Sequence, residues 1–207
     1  MYRKKFAFLL MVLISISFLN CKKNKSKNDI ISSEIKTIQN NIKLLNLNYD
    51  NKVKSFNLTE FFSISRIEND LKNNEAEKIY LEYKTYSDNY FKEYHKEINK
   101  IGIKINQLKP DKKLDEDKID LYRYRLENLI QEVNTSEKFA HESLLIMENF
   151  IRITRKCEFT IVSNNLVFND DICNNDFNLL KVKFSSYKMK SNSFNRSIKN
   201  INYDILK

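Results

Sequence analysis

Residues that make tight turns are almost missing from this chain of 207 residues, which has one glycine, Gly102, and one proline, Pro110. Sheet proteins need many turns and draw on these two residue types, so the scarcity favours a few long helices. A single glycine also excludes a glycine-rich phosphate-binding loop, and it excludes a serine nucleophile elbow with flanking glycines. Two large classes of enzyme site are therefore ruled out.

Histidine and cysteine are also scarce, with two and three residues. His95 and His141 fall on different predicted helices, and neither belongs to the Glu-x-x-His unit of a carboxylate-bridged di-iron bundle. No histidine lies near the cysteines to complete a metal site. The sequence therefore predicts no catalytic residue, no metal and no cofactor, and we expect a protein that is not an enzyme.

The first 27 residues are typical of an export signal. Arg3, Lys4 and Lys5 precede the apolar run 6–19, which is short for a permanent membrane helix and ends just before Cys21. The pattern predicts a signal peptide at 1–20, a lipidated Cys21 with a basic tether at 21–29, and a folded domain at 30–207. An uncleaved anchor and an ordinary secretory signal are the alternatives.

The junction Phe18-Leu19-Asn20-Cys21 resembles the relaxed lipoboxes of spirochaetal outer-surface lipoproteins of the Borrelia type. The Cys-Lys-Lys-Asn start also resembles lipoproteins of the Bacteroidetes group. The resemblance covers only the signal and the composition. It implies a bacterial lipoprotein held in the outer membrane by palmitate-type acyl chains on Cys21, and it implies no particular activity.

Most of the positive charge lies in the signal and the tether. The chain has 36 basic and 27 acidic residues, and removal of residues 1–20 takes away three basic residues and no acid, so that the net charge falls from +9 to +6. Four of the remaining lysines follow Cys21 directly. The folded part is close to neutral, which argues against a nucleic-acid partner.

Apolar residues at alternating steps of three and four predict the helices. The first stripe is Ile31, Ile35, Ile38, Ile42 and Leu45. Residues 46–57 predict a connection, because Asn and Asp interrupt the pattern. Residues 57–60 are arranged as a capping box, which predicts a short helix through Phe61 and Phe62.

Three more stripes follow. The second helix is predicted from about Arg66 to Leu108, where Pro110 ends it, with the stripe Ile79, Tyr83, Tyr86, Tyr90, Tyr94, Ile98, Ile101, Ile105 and Leu108. The third carries Ile119, Tyr122, Leu126, Leu129, Val133, Ala140, Leu144, Met147 and Ile151. The last carries Phe177, Leu180, Phe184, Tyr187, Ser191, Phe194, Ile198, Ile201 and Ile205. The fold class is all-α, an antiparallel bundle of three long helices plus a shorter one.

Cys157 and Cys173 are the two cysteines left after lipidation of Cys21. An even count in an exported chain favours a structural disulfide between them. The segment between them has β-branched and aromatic flanks around Ser163-Asn164-Asn165, which favours a small β-hairpin between the last two helices. Continuation of the third helix to Val162 is the alternative.

The stretch from Tyr80 to Tyr94 is rich in tyrosine and lysine, and most of its aromatic residues share the core stripe. Tyr80 and Phe91 lie off that line, so we expect them to be exposed and, with Lys84 and Lys92, to form a protein-binding surface. A weaker expectation is polyanion binding by the last helix through Lys181, Lys183, Lys188, Lys190, Arg196 and Lys199.

These features together predict a lipid-anchored surface lipoprotein that binds a host or environmental macromolecule, as in adhesion or immune evasion. The alternative is a periplasm-facing structural or accessory envelope lipoprotein that binds another bacterial protein. Both hypotheses predict a protein ligand, and the sequence does not indicate which protein it is.

Overall fold

A computed structural model describes residues 26–58, 60–198 and 204–206, and the side chains within them except those of 191–198. The predicted signal peptide 1–20 and Cys21 lie outside these residues. The elements in chain order are α1 (Lys27–Ser55), α2 (Ile64–Asn69), α3 (Asn74–Ile105), α4 (Glu116–Lys156), β1 (Phe159–Val162), β2 (Asn165–Phe168) and α5 (Asp171–Ile198). None of these helices is long and apolar enough to cross a bilayer.

The long helices pack as an antiparallel bundle, which confirms the predicted fold class. Residues early in α3 face residues late in α4, as in the ion pair between Glu77 and Arg155 at 2.8 Å. The same order relates α1 to α3, because Glu34 near the start of α1 pairs with Lys104 near the end of α3 at 2.7 Å. α3 packs against both α1 and α4, and α4 packs against both α3 and α5.

α1 differs from the prediction at both ends. Ser26 and Asp29 form a capping box, so residues 27–29 of the predicted tether belong to the helix. The predicted connection at 46–57 was wrong, because α1 continues to Ser55. Tyr49 stacks on Tyr90 with ring centroids 4.0 Å apart, and this packing outweighs the small helix penalty of each Asn and Asp, which is well under about 1 kcal/mol.

The predicted capping box at 57–60 does not begin the short helix; its Thr59 lies outside the described residues. α2 begins instead at Ile64, where the Ser63 side chain accepts a hydrogen bond from the Arg66 amide. The second long helix does not run continuously from Arg66, because the helix is interrupted at residues 70–73. There the Asp70 carboxylate caps α3 by accepting hydrogen bonds from the amides of Asn74 (2.8 Å) and Ala76 (3.0 Å).

The predicted β-hairpin is confirmed. β1 and β2 pair antiparallel from Phe159↔Phe168 to Val162↔Asn165. Ser163 and Asn164 form the two-residue turn with positive φ angles of 49° and 59°, as in a type I′ turn, so Asn165 belongs to β2. Cys157 and Cys173 are joined by a disulfide that connects the end of α4 to the start of α5 across the hairpin.

The last helix is described to Ile198, and the predicted stripe residue Ile201 lies outside the described residues. Residues 204–206 are not helical, so the predicted helix does not reach the C-terminus as a regular helix. Ile205 is nevertheless buried, and Arg125 Nη1 donates a hydrogen bond to its carbonyl oxygen at 3.2 Å. It joins an apolar cluster of α1, α3 and α4, whereas a second cluster at the hairpin end joins α2, α3, α4, the hairpin and α5.

Candidate binding surfaces

The four predicted binding residues do not form one surface. Tyr80 is half-buried and Lys84 is exposed one turn further along α3, where its Nζ pairs with Asp88 at 2.7 Å. Lys92 is exposed too, but eight residues of helix, or about 12 Å, separate it from Lys84. The structure therefore brings Tyr80 and Lys84 together and leaves Lys92 apart.

The expectation that Phe91 is exposed was wrong, since it is 2% exposed. Its ring makes an edge contact with Tyr49 of α1 at a centroid distance of 5.9 Å. α3 packs against two helices and buries two faces, so a residue off its main stripe is still inside the core. Phe91 is a packing residue and not a binding residue.

Tyr80 lines a groove between α3 and α4 that has a volume of about 450 Å³ and is lined mainly by charged residues. Arg155 closes one end, because it donates hydrogen bonds to the carbonyl oxygens of Lys72 (3.0 Å) and Asn73 (3.1 Å) and to Glu77 Oε2 (2.8 Å). The Arg155 hydrogen bond lowers the pKa of Glu77, and burial raises the pKa of Tyr80. Arg155 already makes three hydrogen bonds, and these bonds join α4 to the start of α3. The residues of this groove therefore mainly stabilise the packing of the two helices.

A second site lies at the hairpin end, between α4, α5 and the chain before α2. It is a largely apolar pocket of about 230 Å³ with four phenylalanine rings in its wall: Phe62, Phe150, Phe177 and Phe184. Phe62 contacts both Phe150 (5.0 Å between centroids) and Phe184 (4.9 Å). We call this site the aromatic pocket. Asn164 and Asn165 of the hairpin form part of its rim.

Among the described residues that line the aromatic pocket one is charged, Lys181, and its Nζ lies 4.7 Å from the centroid of the Phe177 ring. A second cation, Arg66, lies outside the pocket next to the Phe150 ring, with its Cζ 5.7 Å from the ring centroid. Nη1 of Arg66 pairs with the Asp70 carboxylate at 3.2 Å. Burial lowers the pKa of Arg66. Arg66 is therefore paired and does not line the pocket, and Lys181 is the cation beside its apolar interior, an arrangement that suits an apolar group next to a carboxylate.

Sequence reasoning missed the aromatic pocket. The signal was present as the adjacent pair Phe61-Phe62 and as Phe177 and Phe184, seven residues apart on one face of α5. These residues read only as core. The hairpin turn and the segment before α2 complete the wall, and their place beside α5 depends on tertiary packing.

The predicted disulfide pair is together in the structure, and the two histidines are apart. His95 Nε2 lies 2.9 Å from Glu137 and His141 Nε2 lies 3.8 Å from Asp88. Within 26–58, 60–198 and 204–206, no three side chains of the metal-binding types come together. Comparison of the chain with known protein families, with curated proteins and with solved structures finds no match.

Proposed function

We propose that this chain is a lipid-anchored surface lipoprotein that binds a protein partner through the aromatic pocket. The observation that carries the binding proposal is the pocket itself, an open aromatic site whose described lining residues include one cation, Lys181, and no acid, histidine or cysteine. Buried aromatic anchors surrounded by polar residues are typical of the energetic centres of protein interfaces. Binding of a host or environmental macromolecule is therefore favoured over catalysis.

Anchoring at Cys21 is supported by the basic start, the apolar run and the cysteine that follows it. The disulfide between Cys157 and Cys173 is in keeping with an exported protein. Five residues lie between Cys21 and Lys27, and the six Cα–Cα steps from one to the other span at most about 20 Å. Attachment therefore keeps the start of α1 close to the outer membrane.

The aromatic pocket lies at the other end of the bundle from the tether. The start of α1 contacts the loop between α3 and α4, where Asn28 Nδ2 donates a hydrogen bond to the Lys109 carbonyl oxygen at 2.7 Å. α1 has 29 residues and a length of about 43 Å. The hairpin end is thus the part of the bundle farthest from the tether.

A periplasm-facing accessory role is the alternative, and protease treatment of intact cells separates the two. A surface protein is digested without permeabilisation of the outer membrane, and this result would favour the proposed surface lipoprotein. Full protection until the outer membrane is opened would contradict surface display and favour the alternative. A periplasmic protein of known protection serves as the control for membrane integrity.

The binding prediction is tested with Phe184→Ala. Phe184 is 36% exposed at the pocket rim, so its loss removes contact area without opening the core. Beads carrying the mature chain with Cys21→Ser are expected to capture a specific protein from serum. We expect Phe184→Ala to weaken this capture at least tenfold, measured by titration, in line with the loss of a hot-spot aromatic residue.

Leu81→Ala is the matched control, because Leu81 is an apolar residue of α3 that is 52% exposed and lies outside the pocket. It should capture the serum protein as the parent chain does. Equal capture by all three chains would place the contact elsewhere. No specific capture by any of them would contradict binding of a serum protein.

A further inference from the structure

α5 has a second apolar stripe that faces away from the bundle. Its residues are Ile172, Leu179, Val182 and Met189, which are 70%, 62%, 67% and 69% exposed. Their spacing of seven, three and seven residues places them on one helical face. The opposite face buries Leu180 against α4, and no described side chain covers the stripe.

The stripe is symmetric about its own centre. Ile172 and Met189 are equally far from the midpoint between residues 180 and 181, and so are Leu179 and Val182. Two copies of α5 related by a two-fold axis through this midpoint, and running antiparallel, place Ile172 against Met189 and Leu179 against Val182. Every apolar residue of the stripe then meets an apolar residue of the other copy.

We propose that the protein forms a symmetric dimer in which two copies of α5 pair antiparallel through this stripe. In the same dimer, Asn175 of each copy lies against Ser186 of the other, and both side chains are short and polar. These polar pairs weaken the contact relative to a fully apolar seam, and they help to fix its register. The occupant of the stripe is therefore a second copy of this chain.

The charges beside the stripe select the antiparallel orientation. In an antiparallel pair of helices with this register, Asp176 of each copy lies next to Lys183 of the other, so that two opposite-charge pairs form. A parallel pair instead places Asp171 next to Asp176 of the other copy, which brings like charges together. Charge complementarity thus favours the same arrangement as the apolar pattern.

The dimer leaves the aromatic pocket open. Lys181 and Phe184 line the pocket, and their positions in the helical repeat are on the side of α5 away from Leu179 and Val182. The two tethers leave at opposite ends of the pair. The bundle is about 60 Å long, the length of α4, and a tether of about 20 Å does not reach from one end of it to the other. Two chains anchored in the same membrane can therefore form this dimer only when both bundles lie along the membrane surface.

The test measures self-association of the mature chain, residues 21–207, with Cys21→Ser so that acyl chains do not contribute. Sedimentation equilibrium is expected to show a concentration-dependent dimer. Leu179→Glu should raise the dissociation constant at least tenfold, because it buries a carboxylate in the centre of the seam. Leu145→Glu, on α4 with 54% exposure, is the control and should behave as the parent chain.

A charge exchange tests the orientation separately. Asp176→Lys and Lys183→Asp should each weaken the dimer, since each puts like charges side by side twice, and the double variant should restore it. A monomer at all concentrations, or a dimer unaffected by Leu179→Glu, would overturn the proposal. A double variant as weak as the single ones would overturn the antiparallel register. None of these results depends on the proposed ligand or on the anchor.

Discussion

Phe150→Ala is expected to lower the free energy of unfolding by about 3–5 kcal/mol, the range for loss of a buried phenylalanine. Phe150 is 2% exposed, and its ring contacts Phe61 (6.0 Å between centroids), Phe62 (5.0 Å) and Phe177 (6.4 Å). It therefore joins α4 to α5 and to the segment before α2. Removing the ring leaves a cavity next to the open aromatic pocket and weakens all three contacts.

Urea unfolding followed by circular dichroism measures the change. Leu145→Ala is the matched control, because Leu145 is on the same helix but 54% exposed, and we expect a change within about 0.5 kcal/mol. If Phe150→Ala is as stable as the control, the hairpin end is not held together by this aromatic cluster.

The double variant Cys157→Ala/Cys173→Ala should lose about 3 kcal/mol of unfolding free energy. The bridge joins residues 16 apart in sequence and closes a loop that holds the whole hairpin, so its loss frees the unfolded chain. A shift of the urea midpoint measures this effect. The parent chain treated with a reductant should shift by the same amount.

The state of the cysteines in the protein recovered from its native cells gives an independent check. Alkylation of the denatured chain without reductant should modify neither Cys157 nor Cys173. Two alkylated thiols, together with an unchanged urea midpoint in the double variant, would contradict a structural disulfide.

The sequence was sufficient where the residues of a single stripe all face the core. Ile98, Ile101 and Ile105 repeat at steps of three and four and are all buried in α3, and Pro110 follows the end of that helix. The hairpin was also predictable, because its β-branched flanks meet at a two-residue turn. The disulfide was predicted from the expected export and an even cysteine count.

The errors arose where tertiary contacts decide the outcome. The end of α1 is rich in Asn, and its contacts with α3 hold it as a helix. Tyr49 stacks on Tyr90, and the Tyr90 hydroxyl also donates a hydrogen bond to Asn46 Oδ1 at 2.6 Å. The Tyr86 hydroxyl donates a hydrogen bond to the Asn48 carbonyl oxygen at 3.1 Å.

Phe91 is buried because α3 has a neighbour on each side, and a single-stripe pattern does not show a second neighbour. The interruption before α3 depends on the Asp70 carboxylate, which accepts hydrogen bonds from the amides of Asn74 and Ala76. The sequence pattern does not indicate these two hydrogen bonds.

The lysines of α5 show the same limit. Lys181 and Lys188 are seven residues apart on one side of the helix, and Lys183 and Lys190 share the opposite side. The described lysines therefore form two pairs and not one continuous basic face, and the side chains of Arg196 and Lys199 lie outside those described. Polyanion binding stays a weak prediction, and any such binding should fall steeply with salt.

Detergent-phase partitioning, combined with mass measurement of the mature N-terminus, tests the lipid anchor most directly. Each buried methylene group of an acyl chain contributes about 0.8 kcal/mol, so several acyl chains on Cys21 would be enough to hold the protein in the membrane. We expect the parent protein in the detergent phase with an acylated N-terminal Cys21, and Cys21→Ser in the aqueous phase or unprocessed. Unchanged partitioning of Cys21→Ser, or a mature N-terminus without acyl mass, would contradict the account.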